Sequence, residues 1–464
     1  MARALRRWSR PMTPTPTMAT RIGPCFSRMD LSRWLCRFAH PSARTRKAGS
    51  SGTGCLGASL PPGLAGDRMV AFTPLPHLGA RDDPRESQPM RITEVKAIVV
   101  ELPARARRLE IVQVPDPFRL RYTHRDVGSD RAETETYLVV RTDEGIEGIC
   151  TGAPAPAVME VLRTQVLGTD PLRREETYQR LHHGTRWVYQ TPGWFGNFDN
   201  CLWDIAGKVA GLPVCRLLGQ VRDRIPAYLT GGDGDGTAPT YLALLDDARA
   251  RWGINAYKFH NYQGPRQNIA LFNELRRALG DDFVLMNDPV CSYSLEEAIT
   301  VGHVMEDLGF LWLEEPFYEQ EMLRYQQLCA ALTRMPVMAT EMLMYDMRLC
   351  AEWLKASATD LIRVNARNGT TSLVKLAHLA ELHGTNVEMN AIGGLGGHVH
   401  VQLQCAIANT YAYELFAGAV ARAREIGITN APDVVDGHLS PSMLPGWGAE
   451  IDWAFVKSRT VGEY

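Results

Sequence analysis

Seven polar residues recur at a near-constant interval through the second half of this 464-residue chain: His260, Asp288, Glu314, Glu341, Asn365, Asn390 and Glu414, spaced 28, 26, 27, 24, 25 and 24 residues apart. Each stands at the end of a short apolar run. The runs read IPAYLTGG, INAYKFHNY, FVLMNDPV, FLWLEEP, VMATEML, DLIRVNA, NVEMNA and YAYELF, with amphipathic stretches such as RQNIALFNELRRALG and TTSLVKLAHLAELHG between them. Repeated strand–helix units of this length predict a parallel α/β sheet, and eight of them predict a closed barrel. In a barrel the C-terminal strand ends share one mouth, so a polar residue at each builds a site there. A doubly wound open sheet also alternates strand and helix, but it brings fewer strand ends around one pocket.

The residues before the barrel divide in two. From Met90, RITEVKAIVVEL and TYLVVRTDEGIEGICTG alternate as strands, with Asp143-Glu144-Gly145 at a hairpin turn. Residues 155–220 read helical, so 90–222 is expected to be an α+β unit and about 113–132 an irregular polar loop. Residues 1–89 are rich in Arg, Pro, Ser and Gly, with no acid before Asp30 and no continuous apolar core of a secretory signal. They are expected to be a disordered or targeting extension. The barrel is expected over 223–420 and a C-terminal segment over 421–464.

Composition narrows the function classes. A formal net charge of -2 gives no electrostatic case for nucleic acid or an anionic membrane. No apolar run reaches the ~18–20 residues of a membrane-crossing helix. Ten cysteines lie singly with no CxxC pair, which suits reduced thiols of an intracellular protein rather than a zinc ribbon or disulfide framework. The expected location is the cytoplasm, or the mitochondrion if the extension is a transit peptide.

The chemistry follows from the strand ends. Asp288, Glu314 and Glu341 end three consecutive strands, and three carboxylates meeting at one mouth repel unless a cation lies between them. Oxygen-only donors suit a hard divalent ion, Mg²⁺ or Mn²⁺. Alternation would send Glu315 to the face opposite Glu314, so Glu314 is expected to face the ion and Glu315 a supporting partner. Lys258 and His260, two residues apart in AYKFHNY, share one strand face beside the first carboxylate. An imidazole titrates near neutrality and could take a proton from a carbon next to a metal-bound carboxylate, with Lys258 adding positive charge.

The order LWDIAGKVAGLPVCRLLG, YKFH, MNDP, WLEEP and ATEM resembles the mandelate racemase branch of the enolase superfamily over the roughly 375 residues from Met90. The resemblance implies an α+β capping domain, joined by the C-terminal tail, on a modified TIM barrel of the (β/α)7β type. It also implies Mg²⁺ on Asp288, Glu314 and Glu341, proton abstraction α to the carboxylate of a small-molecule substrate, and a homo-oligomer. Two departures bear on the reaction. His260 replaces the second lysine of the usual Lys-x-Lys, and Asn365 and Asn390 stand where an Asp–His pair is usual. Amides do not act as acid or base near neutral pH, and Asp360, toward the strand start, is not expected to substitute. Acid–base groups on one face argue against a two-base racemase. They suit syn elimination of water, with a cycloisomerase or epimerase as the alternative and a catalytically silent binding protein as a further rival. The resemblance places Glu414 against substrate and makes Tyr122, His124 and Arg125 candidate specificity residues in a cap loop closing the mouth.

Three other motifs carry less. HVH at 398–400 has the spacing of a metal-binding pair but follows the seventh strand in a Gly-rich loop; IGGLGG (392–397) reads as a flexible turn; the histidines of HHGTRW (182–186) read as helix-surface residues.

Overall fold

The structure, a computed structural model, describes residues 89–103, 108–114, 120–127, 133–231, 236–261 and 263–464, and residues 1–88 of the expected extension lie outside these. The cap begins with β1 (Ile92–Leu102), β2 (Arg108–Val114), β3 (Arg121–Val127), β4 (Glu133–Thr142) and β5 (Glu147–Thr151), then α1 (Pro156–Val166), α2 (Arg174–Val188), α3 (Gly196–Ala210) and α4 (Val214–Leu217). β1, β4 and β5 form an antiparallel sheet whose alternating apolar residues, among them Ile92, Val95, Leu138 and Val140, pack on α1, α2 and α3.

The stretch expected to be an irregular loop is a two-stranded ribbon where it is described. β2 and β3 pair antiparallel, placing Tyr122 opposite Gln113, His124 opposite Ile111 and Arg125 opposite Glu110. RYTHRDV gives no apolar alternation to read.

Every one of the eight apolar runs contains a strand. In chain order come β6 (Ile225–Gly231), α5 (Ala238–Trp252), β7 (Ala256–Phe259), α6 (Pro265–Leu279), β8 (Val284–Asn287), α7 (Leu295–Asp307), β9 (Leu313–Glu314), α8 (Met322–Ala331), β10 (Val337–Ala339), α9 (Met347–Lys355), β11 (Leu361–Val364), α10 (Thr370–Leu382), β12 (Val387–Met389), α11 (Gly396–Ala406) and β13 (Tyr413–Phe416). The strands pair side by side in the order β12-β11-β10-β9-β8-β7-β6-β13, a nearly closed parallel barrel. They are buried on both faces, as all four residues of β7 are, because helices cover the outside and side chains fill the inside. Outside, residues such as Leu245, Phe272, Leu275, Val301 and Leu328 join the strands in one core. Each contributes ~1.5–3 kcal/mol by burial. Inside, Tyr228, Ala256, Met286, Trp312, Met338 and Ala412 form a separate apolar plug, a floor on which the polar mouth rests.

The chain then returns through α12 (Ala419–Glu425), β14 (His438–Leu439) and α13 (Trp453–Arg459) to β15 (Thr460–Glu463), which pairs antiparallel with β1 of the cap. Cap and barrel are locked together beside the site. A Cβ on Gly196 would stand 2.2 Å from the carbonyl oxygen of Arg367, so only glycine lets α3 approach the segment after β11 this closely. From the next turn of α3, Asp199 accepts from the backbone N–H and hydroxyl of Thr371 at 2.8 and 2.7 Å, and Asn200 donates to the Ala366 carbonyl at 2.7 Å.

A second tie joins the ribbon to the loop after β8. Arg121 Nη1 donates to the Ser292 carbonyl at 3.0 Å and to Glu297 Oε2 at 2.8 Å, and Nη2 to Glu297 Oε1 at 3.3 Å. Glu297 is already fixed. With Ser294 it forms the reciprocal cap that starts α7, each side chain accepting from the other's backbone N–H.

Candidate active site

Residues two apart on a barrel strand point inward together, and one such level is entirely charged. Lys258 of β7 lies 2.9 Å from Glu314 Oε2 of β9 and 2.8 Å from Glu414 Oε1 of β13. Arg363 of β11 closes the circuit, with Nε 2.8 Å from Glu314 Oε1 and Nη2 paired with Glu414 Oε2. These alternate strands supply the level just as alternate strands supply each packed layer of a barrel. Two cations and two anions alternate round a neutral ring, which is how four buried charges are accommodated. The lysine on a buried strand face is thereby explained: its charge is met by carboxylates from two other strands.

The electrostatics follow the same circuit. Burial and the Arg363 guanidinium push Lys258 down, but Glu314 and Glu414 outweigh both and hold its ammonium well above the usual range. Burial lifts Glu314 to about 7 despite Arg363 and Lys258. Burial also acts to raise Glu414, yet Arg363 and Lys258 prevail and hold it at about 2. The Lys258 ammonium directs N–H groups to Asp288 Oδ2 at 3.3 Å and Glu314 Oε2 at 2.9 Å.

Around the ring stand the remaining strand-end residues. Asp288 Oδ2 lies 3.3 Å from Lys258 Nζ and 3.1 Å from His260 Nε2, while Oδ1 accepts from the Val290 N–H at 3.0 Å. Burial would raise its carboxyl, but Lys258 and His260 reverse that and leave it below the usual range. The His260 side chain keeps 17% of its surface exposed, so the imidazole is reachable. Its ring centroid is 6.2 Å from that of Phe416.

The opposite side is a relay of amides. Asn365 Nδ2 donates to Asn390 Oδ1, Asn390 Nδ2 donates to Glu341 Oε1 at 2.9 Å, and Glu341 Oε2 lies 3.3 Å from Arg363 Nε. Asp360 does not reach this side, since its Oδ2 accepts from the Val337 N–H at 2.8 Å, at the beginning of β10. His260 with Asp288 thus stands on one side and the amides of Asn365 and Asn390 on the other.

Glu315 departs from the expected alternation. β9 ends at Glu314, and Glu315 takes a left-handed backbone (φ 38°), so its side chain is not sent to the far face. It is buried, and burial raises its carboxyl well above the usual range; Glu341, Asp288, Glu319 and Glu314 raise it further. It belongs to the acid cluster, not to the face opposite Glu314.

Lys258, His260, Asp288, Glu314, Glu341, Asn365, Asn390 and Glu414 therefore meet in one place. Tyr122 is 43% exposed on β3, next to Arg121, which ties the ribbon to Glu297. The backbone of His124 and Arg125 lies on the same strand, and their side chains are outside the described residues. The HVH histidines are buried in α11, where His400 Nε2 accepts from the Ala366 N–H at 3.0 Å. Of IGGLGG, the last two glycines begin α11. In HHGTRW, His183 is exposed on α2, and His182 is half-buried with its ring stacked on Tyr178 at 5.9 Å. Arg363 is a site residue that strand-end reasoning missed. The signal was present, because Arg363 stands two residues before Asn365 as Lys258 stands two before His260.

The donor set fits a hard divalent cation in type and charge. The ring balances its own charges, and Asp288, Glu341 and Glu315 add carboxylates beside it. Glu314 Oε1 is buried without a hydrogen bond, since Arg363 Nε is close but does not direct its N–H there. Arg363 lies between Glu314 and Glu341, and among the described residues no three His, Cys, Asp or Glu side chains are grouped to hold an ion as they stand. Among those residues, no helix is long and apolar enough to cross a membrane.

Comparison with known proteins places these residues in a lineage. Residues 108–219 match the N-terminal domain family of mandelate racemase / muconate lactonizing enzyme, and residues 240–455 match the family described as enolase C-terminal domain-like. L-talarate/galactarate dehydratase of Salmonella typhimurium is 29% identical over 300 residues, covering 60% of this chain and 73% of that protein. D-galactarolactone cycloisomerase of Agrobacterium fabrum is 29% identical over 290 residues, covering 58% and 74%. Among solved structures, the magnesium complex of D-glucarate dehydratase from Agrobacterium tumefaciens superposes with a TM-score of 0.69 at 27% identity, covering 80% of this chain and 99% of that one.

Proposed function

Because the chain belongs to the mandelate racemase / muconate lactonizing enzyme branch of the enolase superfamily, we propose that it is a Mg²⁺-dependent acid-sugar dehydratase. The observation that carries this reading is the one-sided placement of proton-transfer groups, with His260 beside Asp288 against the Asn365–Asn390 amide relay. Racemisation by two bases needs a second proton-transfer group across the site, and amides cannot serve as one.

The substrate is an α-hydroxy acid with a hydroxyl at C3. The His260 imidazole takes the C2 proton. The electron pair left at C2 forms the C2=C3 double bond as the C3–O bond breaks, and the departing hydroxide takes the proton from His260 and leaves as water. The enol then ketonises to a 2-keto-3-deoxy acid. Mg²⁺ held by Asp288, Glu314 and Glu341 would supply positive charge to the substrate carboxylate while C2 loses its proton. Lys258, kept protonated, adds charge from below, and Asp288 orients the imidazole through Nε2. Glu414, held ionised, and the amides of Asn365 and Asn390 offer polar contacts to the sugar hydroxyls. Tyr122, His124 and Arg125, on the ribbon tied down by Arg121, are proposed to set specificity.

The D-galactarolactone cycloisomerase relative supports a second reading, in which the same site rearranges a sugar lactone. The His260→Asn variant tests the base in either case. Turnover should fall at least ~10²-fold, the scale of general-base removal, with Mg²⁺ affinity retained; wild-type turnover would refute the assignment.

A further inference from the structure

We propose that Glu319, a residue outside the substrate site, positions Glu341 by holding the backbone turn from which it projects. This rests on Glu341 being a cation ligand. Glu319 lies in the loop between β9 and α8 and is 1% exposed. Its carboxylate crosses to the end of the neighbouring strand β10 and accepts from three consecutive backbone N–H groups: Thr340 and Glu341 on Oε1 (3.1 Å for Glu341), and Met342 on Oε2 at 2.8 Å. Three successive N–H groups converge only where the chain turns out of the strand into an anion-binding concavity. Here the acceptor is a carboxyl of the same protein, pushed up to about 8 by burial against the pull of those N–H groups.

The turn is made at an unusual residue. Thr340 has φ 84°, and a β-branched side chain in that region is strained and persists only where its surroundings enforce it. Glu319 supplies that enforcement on the N–H side. The Thr340 hydroxyl, donating to the Arg363 carbonyl at 3.0 Å, supplies it on the other. Glu341 is the next residue, so this turn sets the direction in which its side chain leaves toward Asn390 and Arg363. Glutamine cannot replace the clamp: it offers one oxygen and one N–H₂, which leaves an N–H donor facing a donor. Glu319 acts through Glu341 and is a positioning residue.

The test is Mn²⁺ binding to the full chain by isothermal titration and electron paramagnetic resonance, with far-UV circular dichroism as the folding control. Glu319→Gln should keep the wild-type spectrum and weaken Mn²⁺ by roughly 10–100-fold, the range for residues that support metal ligands. Glu319→Asp, which keeps the charge on a shorter arm, should recover part of that affinity. Wild-type affinity in a folded Glu319→Gln variant overturns the positioning role and leaves the functional reading intact. If Glu319→Gln does not fold, the aspartate variant decides: weakened Mn²⁺ in a folded chain supports the role, and undiminished affinity overturns it. A wild-type chain that binds no Mn²⁺ overturns the reading of Glu341 as a ligand, and this inference with it.

Discussion

Replacing Arg363 by methionine removes one corner of the charge ring while roughly conserving side-chain length. The guanidinium is fully buried and pairs with Glu314, Glu414 and, at 3.3 Å, Glu341; its Nη1 also donates to the Tyr228 hydroxyl at 3.3 Å. Taking away one member of a buried ion pair leaves the others uncompensated and costs about 3–5 kcal/mol. The loss should depend on pH. With Arg363 present, burial already lifts the Glu314 carboxyl to about 7, and without the guanidinium it rises further. A carboxyl raised in the folded state, against ~4.3 when unfolded, binds its proton more tightly in the folded chain. The variant therefore recovers stability as pH falls, fully so below the unfolded value, and loses it as pH rises through the folded value. Urea unfolding of both proteins in the presence of a chelator, at about pH 5.5 and about pH 8.5, measures the deficit at each. The full loss is expected at the higher pH and a clearly smaller one at the lower. A deficit under ~1 kcal/mol at the higher pH, the scale of an exposed pair, or an equal deficit at both, would refute a closed ring of buried charge.

Two further outcomes follow from the site. Chelation should silence turnover without changing the far-UV circular dichroism, and added Mg²⁺ should restore it; activity that survives exhaustive chelation contradicts the use of the carboxylates as cation donors. Arg121→Ala cuts the tie between the ribbon and Glu297, so steady-state kinetics should show KM raised roughly tenfold, about 1.4 kcal/mol, with kcat less affected. An unchanged KM would separate the ribbon from substrate binding.

Much of the barrel and its mouth was legible because a βα unit has a fixed length and its strand ends face one way. That regularity alone brings His260, Asp288, Glu314, Glu341, Asn365, Asn390 and Glu414 together. Arg363 escaped because attention to the last polar residue of each strand passes over the inward position two residues earlier, although Lys258 was found by that very step. The β2–β3 ribbon escaped because RYTHRDV is a polar stretch with no apolar alternation to mark it as a strand. Glu315 was misdirected because alternation holds only within a strand, and the left-handed turn that ends β9 carries no glycine to announce it. Glu319 could not be read at all. Its role depends on three N–H groups of another loop, gathered by a turn at Thr340 that the sequence writes as an ordinary β-branched residue.

Water elimination from a sugar acid is read by incubating the full chain with Mg²⁺ and a panel of aldonic, aldaric and uronic acids and their lactones, followed by mass spectrometry. A product lighter than one of these acids by one water is expected. A new isomer of unchanged mass would contradict it in favour of cycloisomerisation or epimerisation at the same site.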